Sequence, residues 1–135
     1  MFMNKVYRFL ASIFIMVFLI CGCNAEVKQI PPEEVVEEFF LLYSQNDLDG
    51  MKQYCSENFV KLYFGTGTVL GNTSATAQKI ELVEESSNGK AVFLVDASIS
   101  PEKNSALFGE ETTSFYLTLV KDQNKNWVID EFFTG

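Results

Sequence analysis

A chain with no histidine must carry out any proton transfer near neutral pH with carboxylates, tyrosines or thiols. Two carboxylates stand out because each interrupts an apolar, strand-like run. Asp96 shares its alternation with Val92, Leu94 and Ser98, and Asp130 lies between Val128 and Phe132. Tyr43, Tyr54, Tyr63 and Tyr116 are the hydroxyls available to accompany them, with Trp127 as an aromatic wall. Either carboxylate could take part in proton transfer only if it lies in a cavity. The plainer reading places each aspartate on a solvated face, since charged side chains are seldom fully buried, and each tyrosine in the core with its hydroxyl at the edge. On that reading Trp127 is a packing residue and no catalytic residue is assigned.

Other chemistries are excluded more sharply. Gly65-Thr66-Gly67-Thr68 is glycine-rich, but the lysine and following hydroxyl of a phosphate-cradling loop are missing and Lys79 lies too far on. Glu33, Glu34, Glu37 and Glu38 have no oxygen-rich loop of calcium-binding spacing beside them, so they read as a helix start and a solvated face. No metal and no cofactor is expected. A formal charge of −8 without a basic cluster repels phosphate backbones, which makes nucleic acid an unsuitable partner.

The cysteines carry a clearer message. Lys5 and Arg8 form a positive start, and an uncharged run from Phe9 to Ile20 follows, which is the layout of an export leader. The run is shorter than the roughly 20 apolar residues that a membrane-spanning helix needs. It ends in Ile20-Cys21-Gly22-Cys23, which resembles the lipobox of bacterial lipoproteins. Gly22 is small enough to precede a cut where bulky Ile20 is not, so the resemblance assigns Cys23 as the lipidated residue and residues 1–22 as the signal peptide. Ile20 and Cys21 depart mildly from the usual leucine and alanine or serine. Lipidation at Cys23 implies a protein held on the extracytoplasmic face of the cell membrane, and the two or more acyl chains that this modification supplies suffice for stable anchoring. Lys5 and Arg8 leave with the leader and no acid does, which takes the charge from −8 to −10. Only Cys55 then remains as a free thiol, so no disulfide is available, and with no histidine to activate it Cys55 reads as a small buried hydrophobe.

Behind these residues, the elements follow from punctuation and periodicity. Residues 23–30 form a polar tether, and residues 31–135 form a single domain. Pro31-Pro32 with Glu33 and Glu34 starts a helix whose apolar stripe is Val35, Val36, Phe39, Phe40, Leu42 and Tyr43. Asp47 caps a second helix reaching Cys55 in spite of Gly50, and Ser56 caps a third apolar segment ending near Phe64. Gly65 to Ala77 reads as loop around a short strand at Val69-Leu70. Strands are then expected at Ile80 to Glu85, Lys90 to Ser100, Thr112 to Val120 and Trp127 to Phe133, with Asn88-Gly89 as a hairpin turn and Pro101 to Glu111 as a loop. Helices first and a meander afterwards predict an α+β fold, with the helices on one face of a curved antiparallel sheet.

The acidic opening Glu33–Tyr43, the short helix Asp47–Cys55 followed by Glu57-Asn58-Phe59, and the closing strand Trp127-Val128-Ile129-Asp130-Glu131-Phe132 resemble a nuclear transport factor 2-like domain. A cystatin-like arrangement, one long helix on a bent sheet, is the alternative. The nuclear transport factor 2-like resemblance implies a cone between helices and sheet, which in some relatives binds a small molecule or works as an enzyme with Asp and His, or Asp and Tyr. It also implies pairing of copies through the sheet. Asp96, Asp130, Tyr43, Tyr54, Tyr116 and Trp127 are therefore the candidate pocket residues. The leading expectation is a non-enzymatic lipoprotein binding a small apolar ligand or an envelope protein; an isomerase- or hydrolase-type Asp/Tyr enzyme and a structural or assembly module are the alternatives.

Overall fold

The computed structural model describes residues 29–65, 67–102 and 112–135. The leader, the lipobox and most of the Pro101 to Glu111 loop lie outside them. Three helices, α1 (Pro32–Ser44), α2 (Leu48–Lys52) and α3 (Glu57–Tyr63), precede four strands, β1 (Asn72–Ser86), β2 (Lys90–Pro101), β3 (Thr112–Lys121) and β4 (Trp127–Thr134). The strands form one antiparallel sheet in the order β1-β2-β3-β4, so the architecture is α+β with a curved meander.

Each helix begins for a local reason. Pro32 occupies the first position of α1, where its missing N–H costs nothing, and Glu33 and Glu34 sit in the first turn. The helix closes with Asn46 at φ 56°, while Asn46 N donates to Tyr43 O and Asp47 N to Leu42 O at 3.1 and 3.0 Å. These are the two bonds of a Schellman ending, and asparagine tolerates the left-handed conformation it needs. Asp47 then starts α2, its carboxylate accepting from Gly50 N at 3.0 Å, and Ser56 Oγ caps α3 by accepting from Phe59 N at 3.1 Å. α2 stops at Lys52, short of the expected Cys55, because the chain is drawn into the sheet. Ile129 N donates to Tyr54 O and Ser56 N to Ile129 O, both at 2.8 Å, so Tyr54 to Ser56 runs as a short parallel partner beside β4.

The sheet sorts its residues by alternation. Ala91, Phe93, Val95, Ala97 and Ile99 of β2 are buried, and Val92, Leu94, Asp96 and Ser98 point to the opposite face. Extra residues break the register at Thr73, Gln78 and Val83 of β1 and at Asp130 of β4, and such bulges increase local twist and bend the strand. Asn72 to Ala77, expected as loop, belongs to β1 and pairs with Ala97 to Pro101. A two-residue turn leads into it: Leu70 and Gly71 have φ 50° and 74°, and Val69 and Asn72 exchange backbone hydrogen bonds at 3.1 and 3.0 Å.

Aromatic side chains fill the space between α1 and the concave face. Phe39 meets Phe40, Tyr43, Phe59 and Phe132 edge-on at centroid distances of 5.5, 5.9, 6.3 and 6.0 Å, and Phe115 lies 4.6 Å from Phe132. All six rings are essentially inaccessible to solvent. At about 1.5–3 kcal/mol per fully buried large apolar side chain, this cluster accounts for a core built without a disulfide.

Candidate functional site

The turn between β3 and β4 is pinned by one carboxylate. Asp122 Oδ1 accepts from Asn124 N and Asn126 N at 2.8 and 2.9 Å, and Lys125 takes φ 63° within it. This rigid turn holds Trp127 at the start of β4, where the Lys121 ammonium lies 5.1 Å from its ring centroid. The parallel bridge at Cys55 brings Tyr54 alongside, and α1 adds Val35. Ile30, Val35, Gln53, Tyr54, Asp122, Asn126, Trp127 and Val128 line a cleft of about 240 Å³. An adjoining open groove of about 360 Å³ is lined by Cys55, Ser56, Glu57, Val120, Asp122, Gln123, Asn124 and Val128. Ligand sites for small molecules usually enclose ≈ 300–1,000 Å³ of mostly apolar wall. The two clefts lie at or below the lower end of that range and are walled in good part by turn amides and carboxylates.

The candidate residues do not converge. Tyr54 and Trp127 meet in the cleft just described. Tyr43 lies at the other end of α1, fully buried, with its hydroxyl donating to Val69 O at 2.8 Å. Burial drives its ionisation well above the ordinary tyrosine range, and the neighbouring Asn72 side chain offsets only part of that. Asp96 is on the outer face of the sheet, turned away from the helices. It accepts from Ser114 Oγ at 2.6 Å and stands opposite Lys79 on β1. The Lys79 ammonium is bonded to Glu81 at 2.6 Å, and that hydrogen bond and charge, with a smaller contribution from Asp96, raise its pKa. Tyr116 is on the same outer face, stacked on Phe133 at 5.6 Å and 19°. Asp130 is the extra residue of the β4 bulge and lines neither cleft.

Neither Asp96 nor Asp130 thus shares a cleft with a candidate tyrosine. Cys55, which lines the larger groove, donates its thiol to Met51 O at 3.3 Å, and burial pushes its pKa up, the reverse of what activates a nucleophile. Among the described residues, no three of Cys, Asp and Glu gather as a metal cluster, and no helix is long and apolar enough to cross a membrane. Sequence reasoning missed Ile30, Val35, Gln53, Asp122 and Asn126 as cleft residues. The spacing of Asp122 to Asn124 and Asn126 marks the turn, but nothing local tells which helix end packs on it. No family model, characterised protein or solved structure matches this chain.

Proposed function

We propose that this chain is a lipid-anchored protein of the cell envelope whose domain, of the nuclear transport factor 2-like kind, binds a partner through its surface without catalysing a reaction. The observation that carries the anchoring is the leader ending in Ile20-Cys21-Gly22-Cys23. The absence of histidine, the burial of Tyr43 in the core, and the position of Asp96 and Tyr116 on the outer sheet face, outside both clefts, support a binding role over an Asp/Tyr enzyme working in a cavity. The aromatic filling of the interior favours a protein partner over a small apolar ligand, because such a ligand would have to displace Phe39, Phe40 or Phe132. The test is the intact mass of membrane-extracted protein and of Cys23→Ser. A mass carrying acyl chains, lost in the variant, is the expected result. An unmodified soluble product cut elsewhere removes the anchoring and with it the envelope role.

One observation favours a second reading, an assembly role through pairing of copies. Phe133 is 49% exposed on the outer sheet face and stacked on Tyr116, beside the partly exposed Val92 and Leu94, and contiguous apolar surface of this kind is usually covered. Sedimentation of the Cys23→Ser domain at high concentration tests it. Dimers that dissociate in Phe133→Lys are expected, and a strict monomer rules the pairing out.

A further inference from the structure

The clefted end of the domain is also the end at which the chain enters it. Ile30 lines the same cleft as Trp127 and Tyr54, and α1 starts there and runs away from it towards Val69 and Asn72, where Tyr43 is bonded. If Cys23 carries the lipid, as proposed above, only Asn24 to Ile30 separate the bilayer surface from this end. Seven residues span at most ~25 Å fully extended, and as a flexible coil about 15 Å. α1 alone is ~20 Å long for its 13 residues. The opposite end of the sheet therefore reaches the lipid only when an almost fully stretched tether doubles back along the domain.

The surface presented at the near end has the chemistry of a membrane interface. Ile30 is 42% exposed, and Trp127 and Tyr54 are partly exposed. Tryptophan and tyrosine favour the headgroup level because one part of the ring system is apolar and the other hydrogen-bonds. Exposed Lys121 lies along the Trp127 face, and exposed Lys125 follows in the turn, two side chains able to lay apolar stems inward and keep ammonium groups among phosphates. Glu33 and Glu34 in the first turn of α1 and Asp122 in the cleft wall more than offset these charges, so the end suits a zwitterionic surface more than a strongly anionic one.

We propose that the end carrying Ile30, Tyr54 and Trp127 rests on the lipid surface, so that the anchored domain stands with its strands directed away from the bilayer. Trp127 is the only tryptophan of the chain and reports this directly. The acylated protein is reconstituted into phosphatidylcholine vesicles with and without a nitroxide on the headgroup, and its flotation with the vesicles is measured first. Loss of Trp127 emission in the nitroxide vesicles is expected. The doubly substituted protein Trp127→Phe, Phe133→Trp moves the reporter ~20 Å along β4 and should keep its emission. As a second measurement on the unsubstituted chain, acrylamide should quench Trp127 less on vesicles than in the free Cys23→Ser protein. Flotation without loss of emission, equal loss at both positions, or unchanged acrylamide quenching overturns the orientation while leaving the anchor intact. Failure to float overturns the anchoring, and the orientation with it.

Discussion

Two buried acids should make this domain lose stability in alkali by an amount that can be worked out. Tyr43 is inaccessible to solvent and Cys55 is 9% exposed. Burial raises both above their ordinary values of 10.0 and 9.0. A raised acid keeps its proton in the folded state while the unfolded chain gives it up, so the folded state is undiminished below the unfolded value and loses ground as pH climbs past it. Each pH unit above the unfolded value costs about 1.4 kcal/mol per group while the folded form stays protonated. Between neutrality and pH 11, one unit above the ordinary tyrosine value and two above that of cysteine, the loss is about 4 kcal/mol, of which Cys55 supplies about two thirds. Against a typical domain stability of about 5–15 kcal/mol that is a large fraction. The assay is urea unfolding of the Cys23→Ser domain at steps from pH 7 to 11, beside the same domain carrying Tyr43→Phe and Cys55→Ala. At neutral pH the double variant starts lower, by about 1 kcal/mol for the hydroxyl hydrogen bond and more for the lost thiol packing. Its slope above pH 9 should be the shallower of the two. Parallel loss in the two proteins would show that neither buried proton is held by the fold, and the reasoning from burial would fail.

Two further outcomes test the helical layer. Asp47→Ala should cost about 1 kcal/mol in chemical denaturation, because the residue is the N-cap of α2. Gly50→Ala should bring none of the roughly 1 kcal/mol that alanine normally adds inside a helix, because a Cβ there would lie 2.5 Å from the Asp47 carboxylate and 3.0 Å from Leu42 Cδ2; made on top of Asp47→Ala, where only the end of the Leu42 side chain has to yield, the same substitution should be the more favourable of the two, and an effect of equal size in both backgrounds would refute the clash.

The helical layer was legible in the sequence because its signals are local. Pro31-Pro32, Asp47 and Ser56 set the helix starts within their own segments, and the side-chain caps are where these residues imply. The hairpin at Asn88-Gly89 was legible for the same reason. Asn72 to Ala77 was not, since its small polar residues acquire strand geometry only by pairing with the end of β2. The two aspartates show a different limit. Alternation correctly groups Asp96 with Val92, Leu94 and Ser98, but the other face of β2, from Ala91 to Ile99, is equally apolar, and only the helices decide which is inside. At Asp130 the alternation itself fails: the bulge places buried Ile129 and Phe132 three residues apart, so counting in twos from Phe132 gives the wrong side for its neighbours.

The bulges at Thr73, Gln78 and Val83 have a meaning beyond the curvature they give β1. Among the described residues nothing pairs with the outer edge of that strand, and a 15-residue edge is a template for another chain. Interrupted every five residues, it offers no more than four residues of regular ladder at a time, too few for a stable foreign strand. If the chain is anchored at a membrane as proposed, it meets its own copies far more often than one diluted in bulk, and the resistance to fibril-like self-association is written into the backbone itself.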